Sequence, residues 1–361
     1  MTKFAEAKGF VEVRYGKIPL TAPYDLSFAT LSLIDVFYFV VRADGRMGIG
    51  EATPLPGYGG ETVEAIKEQC HQMARSLEKG VAAFDLVDEF YGDTPMMASA
   101  LACAIETWRE GEEVAFSMPV GGPIPMLAPC SGRTPLAAAR STEKLVSDGY
   151  RTIKVKIGWA TVDEDSDRIM AIVNSLPADG CIRIDANQGL QPDQALSLCK
   201  RLEGLPIEHL EQPFAPDQWE QFRKLADATS LSLMLDESIW RADDLRRAAQ
   251  CGAKAVKLKL CKHRGMADVR DLVRQAERLG MAVGFGNGVQ TSIGNHLEAR
   301  LYTELGLQGA SEGNGFLKIL DPFGGETLQV QSGYLKDQGL GNLSSLTTWG
   351  EQIAHADCSN I

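Results

Sequence analysis

The sequence predicts an α/β protein in which parallel βα units close into a barrel, with a separate α+β unit before it. From about residue 150, short apolar runs alternate with amphipathic segments of helical period, which is the pattern of parallel βα units. Eight strand candidates can be counted, and eight parallel strands suit a closed barrel better than an open sheet. Charged residues end several of these strands, where barrel enzymes place their active sites.

The eight strand candidates are short runs bounded by polar or turn residues. They cover residues 124–127, 152–157, 181–185, 207–211, 231–236, 255–260, 281–285 and 308–312. Helical periodicity between them predicts helices over residues 162–174, 192–202, 217–228, 243–250 and 266–279. We therefore expect the barrel to occupy residues 121–322.

The two ends of the chain follow a different pattern. Residues 10–15 and 36–42 alternate like antiparallel strands, and helices are expected from Thr62 onward, so residues 1–120 form a separate α+β unit. The tail returns to strand and turn composition after the barrel. We expect residues 323–361 to pack back on the first unit.

The composition excludes several classes of partner. A formal net charge of -12 argues against nucleic acid or an anionic membrane, because both are bound through excess Lys and Arg. An anionic substrate stays open, since a bound cation reverses the local field. No stretch has the length of a membrane-spanning helix or the pattern of a signal peptide, so we expect a cytoplasmic protein. The eight cysteines lack zinc spacing and are expected to be reduced thiols.

Three acidic residues end three successive barrel strands. Asp185, Glu211 and Asp236 each follow an otherwise apolar run, and we expect their carboxylates to converge at the barrel mouth. Three converging carboxylates need a cation, and an oxygen-only set with room for water and substrate fits Mg²⁺ better than zinc or a fully caged Ca²⁺. The alternative is that each acid caps a helix or pairs with an arginine, which requires the same coincidence on three strands.

Lysines occupy the strands on either side of these acids. Lys154 and Lys156 are two residues apart, so both point into the barrel, where we expect each to lower the other's pKa and create a usable base. Lys259 lies three strands beyond Asp185 and hence across the mouth from Lys156. Lys257 has the same parity as Lys259, so geometry leaves both open. The alternative for each lysine is a surface cation with a buried stem.

Several segments resemble the muconate-lactonizing subgroup of the enolase superfamily. Residues 152–158 (Thr-Ile-Lys-Val-Lys-Ile-Gly) resemble its lysine motif, and residues 48–58 resemble the family's capping-domain loop. The three acids lie in segments that resemble its metal-ligand motifs: Asp185-Ala-Asn-Gln-Gly189, Glu211-Gln-Pro213 and Asp236-Glu-Ser238. The motifs occur in the family's order and at its βα spacing.

The resemblance implies a modified (β/α)₇β barrel of the TIM type, with an α+β capping domain formed by the N-terminal region and the C-terminal tail. It also implies Mg²⁺ at Asp185, Glu211 and Asp236, with Lys156 and Lys259 as the acid/base pair. Lys154 would assist electrostatically.

The resemblance also separates the two lysines of the sixth strand. The family lysine is followed, five and six places on, by a pair of glycines. Counted from Lys259, that slot holds Arg264 and Gly265, whereas Lys257 has no glycine there. Lys259 is therefore preferred, although only one of the two glycines is present.

The activity implied is Mg²⁺-dependent abstraction of the proton α to a carboxylate, through an enediolate whose developing charge the metal stabilises. We rank racemisation or epimerisation of an acid or amino-acid derivative first. The alternatives are β-elimination of water, as in o-succinylbenzoate synthase, and cycloisomerisation, as in muconate lactonization. A non-catalytic carboxylate-binding relative is the alternative from another class. The expected partner is a small-molecule carboxylate, and a homo-oligomer is expected.

Substrate selection is assigned to two cap loops, residues 20–30 and 55–61, and to side chains at the barrel mouth. The candidate substrate-binding residues are Asn187, Gln290, Glu312 and Asn314. Glu312 is expected on the far side of the mouth from the metal ligands, where it would accept bonds from a cationic or amide group. Gln290 stands where relatives often have glutamate, and Glu312 and Asn314 stand where dipeptide epimerases have an aspartate pair, which disfavours a dipeptide. Gln290 and Asn314 bonding only nearby loop backbone is the alternative.

Overall fold

The computed structural model describes residues 9–25, 30–55, 60–119, 121–323, 327–340, 343–358 and 361. Within them the strands form a four-stranded antiparallel sheet, a seven-stranded parallel sheet and a three-stranded antiparallel sheet. In chain order the strands are β1 (Gly9–Asp25), β2 (Thr30–Ala43), β3 (Arg46–Ala52), β4 (Ile124–Pro125), β5 (Leu127–Pro129), β6 (Thr152–Lys156), β7 (Cys181–Asp185), β8 (Ile207–Glu211), β9 (Leu233–Leu235), β10 (Ala255–Leu258), β11 (Ala282–Phe285), β12 (Leu328–Gln331), β13 (Tyr334–Asp337) and β14 (Glu351–Cys358).

The helices alternate with the barrel strands as the periodicity predicts. In chain order they are α1 (Val63–Glu78), α2 (Ala83–Tyr91), α3 (Pro95–Glu110), α4 (Glu112–Ala115), α5 (Pro135–Ser147), α6 (Val162–Val173), α7 (Pro192–Leu202), α8 (Trp219–Ala228), α9 (Ala242–Gln250), α10 (Gly265–Arg278) and α11 (Ser292–Glu304). Thr62 caps α1 by accepting a hydrogen bond from the Ala65 N–H. Among the described residues, no helix combines the length and the apolar character needed to cross a membrane.

The cap is a sheet with strand order β14-β1-β2-β3, buried on both faces. Side chains alternate along β2, so Phe37 and Phe39 pack among α1 to α3, while Tyr38 and Val40 join the core that includes the barrel. Gly50 lets α3 approach β3 closely, because a Cβ there would lie 2.0 Å from the Ala100 carbonyl oxygen. The cap sheet is therefore held between its own helices and the barrel.

The barrel sheet has strand order β11-β10-β9-β8-β7-β6-β5, all parallel. Two single bridges supply an eighth position between its edges: Met126 pairs with Ser311, and Gly286 pairs with Glu312. The predicted parallel βα barrel is therefore confirmed. The predicted strand over residues 308–312 is reduced to these bridges, because Gly309 has a φ of 85°, which interrupts extended backbone.

Two segments are placed differently from expectation. Residues 124–127 were expected to form the first barrel strand, but Ile124–Pro125 pairs antiparallel with β13, and the parallel barrel strand begins at Leu127. The tail divides in two: the β12–β13 hairpin pairs with β4, whereas β14 pairs with β1 of the cap. Only the last strand of the tail thus extends the cap sheet, and the domain limits at residues 120 and 322 stay predictions.

Candidate active site

The carboxyl ends of four neighbouring strands bring the predicted acids into one row. In the sheet register, Lys156 of β6 lies beside Asp185 of β7, and Asp185 lies beside Glu211 of β8. Glu211 pairs with Met234 of β9, so Asp236, two residues further, faces the same side one step higher. The regular parallel ladder is what places these side chains next to one another.

Gln212 fixes the position of the third acid relative to the second. Its backbone has a φ of 39°, and its buried side chain turns toward the end of β9. Its Oε1 accepts hydrogen bonds from the N–H groups of Asp236 (2.9 Å) and Ser238 (3.3 Å). Its Nε2 donates to Ser238 Oγ at 2.8 Å. The segments that begin at Glu211 and Asp236 are therefore linked through one amide.

The turn after β7 presents Asn187 at the mouth. Asn187 and Gln188 have φ angles of 39° and 70°, in the left-handed region that Asn tolerates better than most residues. The Asn187 N–H donates to Asp185 Oδ1 at 2.9 Å, and its side-chain amide donates to Glu237 Oε1 at 3.2 Å. Asn187 is exposed. It is therefore in a position where a ligand could reach it.

Lysine ammonium groups lie between the first two acids. Lys154 Nζ is 2.8 Å from Asp185 Oδ2 and 3.4 Å from Glu211 Oε1. Lys257 Nζ is 2.6 Å from the same Glu211 oxygen. Across the part of the chain that the structure describes, no group of three or more His, Cys, Asp or Glu side chains is gathered closely enough to hold a metal ion. The acids are neighbours, as expected, but lysines occupy the space between them.

Two further lysines hold the third acid. Lys259 Nζ is 2.6 Å from Asp236 Oδ2. Lys262 Nζ donates to the Asp236 carbonyl oxygen at 2.7 Å, and it lies 4.7 Å from the centre of the Trp240 ring. Sequence reasoning missed Lys262. The available signal was a third lysine within six residues, in a segment whose neighbours are apolar.

The charges of these groups are strongly shifted by one another. Burial alone would lower the pKa of Lys154, but the carboxylates of Asp185, Glu211 and Glu312 raise it well above its usual value. We expected neighbouring lysines to lower that pKa. The expectation was wrong for Lys154 because three carboxylates surround its ammonium group.

The acids themselves are shifted in opposite directions. Burial and the charge of Asp185 raise the pKa of Glu211 to about 7, against the opposing effect of Lys154 and Lys257. Burial would also raise the pKa of Asp236, but the ammonium groups of Lys259 and Lys262 lower it below its ordinary value. Asp236 is thus held as an anion by its lysines, whereas Glu211 is the acid that most lacks positive charge.

The two candidate bases lie on opposite sides of the mouth. Lys156 ends β6 and is exposed, whereas Lys259 follows β10 and is buried beside Asp236. Four steps across the sheet separate β6 from β10, which is half the circumference of an eight-position barrel. A molecule held over the row of acids would therefore have one lysine on each side.

Glu312 lies inside the lysine and acid network and not on the far side of the mouth, as we expected. Its Oε1 accepts a hydrogen bond from Lys154 Nζ at 2.7 Å, and its Oε2 accepts one from Lys257 Nζ at 2.5 Å. Burial would raise its pKa, but these two ammonium groups hold it well below its usual range. Its side chain is 16% exposed. Its bonding capacity is therefore used by the protein itself.

The other substrate-binding candidates are less accessible than predicted. Gln290 and Asn314 are both buried, and among the described residues Oε1 of Gln290 and Oδ1 of Asn314 have no hydrogen-bond partner. Gln290 lines a small cavity with Glu51 and Leu260. Residues 26–29 and 56–59, within the two cap loops assigned to specificity, lie outside the described residues.

A buried carboxyl group near Lys259 was also missed. Glu298 of α11 accepts a hydrogen bond from the Leu260 N–H at 3.1 Å, and burial raises its pKa to about 8. The signal in the sequence was an acidic residue next to Leu297, within a helix whose buried face includes Ile293 and Leu301. It lies directly behind the residue that follows the candidate base.

The donor set suits a hard divalent cation. Glu211 is fully buried, and within the described chain its Oε2 has no hydrogen-bond partner, which leaves one carboxylate oxygen without a cation or donor. Asp185 lies beside it in the register, and Asp236 is one step higher. Oxygen ligands from two or three carboxylates are what Mg²⁺ prefers in proteins. These residues therefore fit the metal.

Comparison with known proteins identifies the family. A model of the family described as enolase C-terminal domain-like matches residues 137–342, more than half of the chain. The chain belongs to the enolase superfamily. The matched range contains all three acids and all the lysines discussed above, so the site lies within the part that defines the family.

The relatives of this superfamily member are isomerases. The L-Ala-D/L-Glu epimerase of Bacillus subtilis is 26% identical over 291 residues, which are 77% of this chain and 80% of the relative. The chloromuconate cycloisomerase of Cupriavidus pinatubonensis is 24% identical over 301 residues, 79% of this chain and 81% of the relative. A dipeptide epimerase of Enterococcus faecalis, solved with Mg and the dipeptide L-Leu-L-Tyr, superposes with a TM-score of 0.79 at 20% identity and covers 93% of this chain and 98% of that one.

These comparisons confirm the predicted group and enzyme class. The chain is an enzyme of the mandelate racemase/muconate lactonizing group, whose members here are epimerases and cycloisomerases that act by Mg²⁺-dependent abstraction of a proton α to a carboxylate. The modified barrel with its cap is confirmed as well, since the superposition spans both. The roles of individual residues stay predictions.

Proposed function

We propose that this superfamily member racemises or epimerises an acid or amino-acid derivative at the carbon next to its carboxylate. The observation that carries the proposal is the position of Lys156 and Lys259, four strands apart with the row of acids between them. Inversion of a stereocentre needs a base on one face and an acid on the other. Two lysines on opposite sides of one bound molecule meet that need.

In this proposal each lysine serves one face of the substrate. Lys156 takes the proton from one stereoisomer, and Lys259, held by Asp236 at 2.6 Å, supplies a proton to the opposite face. For the other stereoisomer the two roles are exchanged. The raised pKa of Lys154 suits a permanent positive charge and not proton transfer. Lys154 therefore assists by its charge alone.

Three acids would hold the metal in this proposal: Asp185, Glu211 and Asp236. When bound, Mg²⁺ supplies positive charge that stabilises the substrate carboxylate as a second negative charge develops on the enediolate. The unpartnered Oε2 of Glu211 supports the assignment. The Mg named with the Enterococcus faecalis dipeptide epimerase supports it as well.

The proposed substrate is a small-molecule carboxylate. Relatives named for dipeptides favour an amino-acid derivative. Cycloisomerisation is the second candidate, because a chloromuconate cycloisomerase matches over a similar share of the chain and its reaction needs only one of the two lysines. Asn187, exposed beside Asp185, is the side chain we assign to substrate contact at the mouth.

We also propose that the enzyme works in the cytoplasm. All eight cysteines are free, which suits a reducing compartment. The expected homo-oligomer stays a prediction.

The function is tested by a library of carboxylic and amino acids incubated with the Mg²⁺-loaded enzyme in deuterated water. A substrate gains mass at its α-carbon even where no net product forms. Chelation should stop the gain, and re-addition of Mg²⁺ should restore it. A library covering acids, amino acids and their N-substituted derivatives that shows no exchange would contradict the proposal.

Metal binding is tested separately by calorimetry on chelated protein. Glu211→Gln should lose Mg²⁺ uptake, because it removes the charge of the central acid. Glu208→Gln, on the same strand but paired with Arg183 at 2.8 Å, is the matched control and should bind Mg²⁺ like the wild type. Equal uptake by Glu211→Gln and the wild type would refute the metal assignment.

A further inference from the structure

Glu312 is shared between two ammonium groups. Lys154 reaches both of its oxygens, at 2.7 and 3.0 Å, and Lys257 reaches Oε2 at 2.5 Å. The two lysine side chains are 5% and 1% exposed. Water therefore contributes little to balancing their charges, and a carboxylate must do so.

The same two ammonium groups also contact the central acid of the row. Glu211 Oε1 is 2.6 Å from Lys257 Nζ and 3.4 Å from Lys154 Nζ. Its Oε2 accepts no hydrogen bond from the described residues. Glu211 and Glu312 therefore compete for two lysines, and the charge that Glu312 neutralises is charge that Glu211 does not need to neutralise.

The backbone leaves room for this arrangement. Gly286 of the neighbouring strand pairs with Glu312, and a Cβ at Gly286 would lie 3.0 Å from Lys257 Cδ and 3.4 Å from Glu312 Oε2. The stem of Lys257 therefore runs through the space that the missing side chain leaves. On β10, Val256 pairs with Leu235 of β9, which brings Lys257 level with Asp236 and next to the row of acids.

We propose that Glu312 is a positioning residue for the metal site: it is the counter-ion that draws Lys154 and Lys257 away from Glu211, so that Glu211 keeps a free oxygen for Mg²⁺. The inference rests on the proposed Mg²⁺ site. It replaces the expectation that Glu312 selects the substrate. Without the negative charge of Glu312, both ammonium groups have only the metal-site acids as partners, and two uncompensated positive charges oppose a divalent cation.

The test is a set of Mg²⁺ titrations by calorimetry on chelated protein, with Glu312→Gln, Lys257→Met and the double variant. Glu312→Gln should weaken Mg²⁺ binding by about tenfold or more, because a like charge is left unbalanced beside the site. Adding Lys257→Met to Glu312→Gln should restore most of the affinity, since the excess charge leaves with the lysine. Glu208→Gln, which breaks a different buried pair, controls for general damage.

The outcomes separate this inference from the proposed function. A wild type that binds no Mg²⁺ refutes the metal site itself. A wild type that binds Mg²⁺ together with an unaffected Glu312→Gln refutes only the counter-ion role. Weak binding that Lys257→Met does not restore also refutes it, because a structural role predicts that two losses are no better than one. If Glu312→Gln does not fold, Lys257→Met alone decides: the counter-ion role predicts affinity at or above the wild type, and a lower affinity contradicts it.

Discussion

Glu51 makes the stability of the enzyme depend on pH through a contact between cap and barrel. This residue of β3 is 5% exposed, and its Oε1 accepts a hydrogen bond from the Thr291 N–H at 3.0 Å, just before α11. The Thr291 hydroxyl donates to Oε2. Burial raises the pKa of Glu51 from 4.5 to about 8. The folded protein therefore keeps a proton that the unfolded chain releases.

The direction of the effect follows from proton counting. Between pH 4.5 and about 8 the unfolded chain binds fewer protons at Glu51 than the folded protein, so the free energy of unfolding falls as pH rises through this window. The shift sets a ceiling of about 3 to 4 kcal/mol on the loss between pH 5 and pH 8. Glu51→Gln stays neutral, keeps an acceptor for the Thr291 N–H, and avoids this loss.

Urea unfolding followed by circular dichroism measures the effect at pH 5 and pH 8. The variant should gain stability relative to the wild type as pH rises, and Glu113→Gln, at an exposed position of α4, should show no such gain. Other buried acids such as Glu298 are present in every protein compared, so their contribution cancels. A difference between Glu51→Gln and the wild type that is the same at both pH values would refute the reasoning.

Two further predictions concern the bases and the cap. Lys156→Ala and Lys259→Ala should each lower turnover of a racemisable substrate by about 10²-fold or more, while each keeps α-proton exchange with one enantiomer in deuterated water. Loss of exchange with both enantiomers in each variant would contradict separate faces. Gly50→Ala should destabilise the fold by about 1 to 3 kcal/mol or more in urea unfolding, because its Cβ would lie 2.0 Å from the Ala100 carbonyl oxygen. Gly92→Ala is the control and should be neutral or stabilising, since its φ is -66° and a Cβ there has no heavy atom within 4 Å.

The barrel could be predicted from the sequence because its elements carry local signals. Strands β7 and β8 and helix α7 have the predicted bounds, since each is a short apolar run or an amphipathic segment with clear end signals. The ends of the barrel were less predictable. Residues 124–127 divide between two sheets, and the partner of residues 124–125 lies in β13, more than 200 residues away in sequence. Such pairing leaves no local pattern.

The site was predictable in its members and less so in its electrostatics. Strand parity correctly brought Asp185 and Glu211 side by side. It did not reveal that Lys257 and Glu312 pair with each other, because that contact depends on the space beside Gly286 and on how the barrel closes. Position along a strand predicts which side chains share a face, whereas the partners of a charge depend on the three-dimensional packing around it.

The order of strands in the cap bears on how the protein is made. β1 lies between β2 and β14, so one side of the first strand of the sheet stays uncovered until residues 351–358 arrive. During synthesis the strands that make up the barrel sheet, which end at residue 285, leave the ribosome well before that last strand. The barrel sheet can therefore form while the cap still exposes a strand edge that could pair with another chain. In this protein the interval between barrel completion and the arrival of β14 is the period in which a nascent chain is most exposed to aggregation.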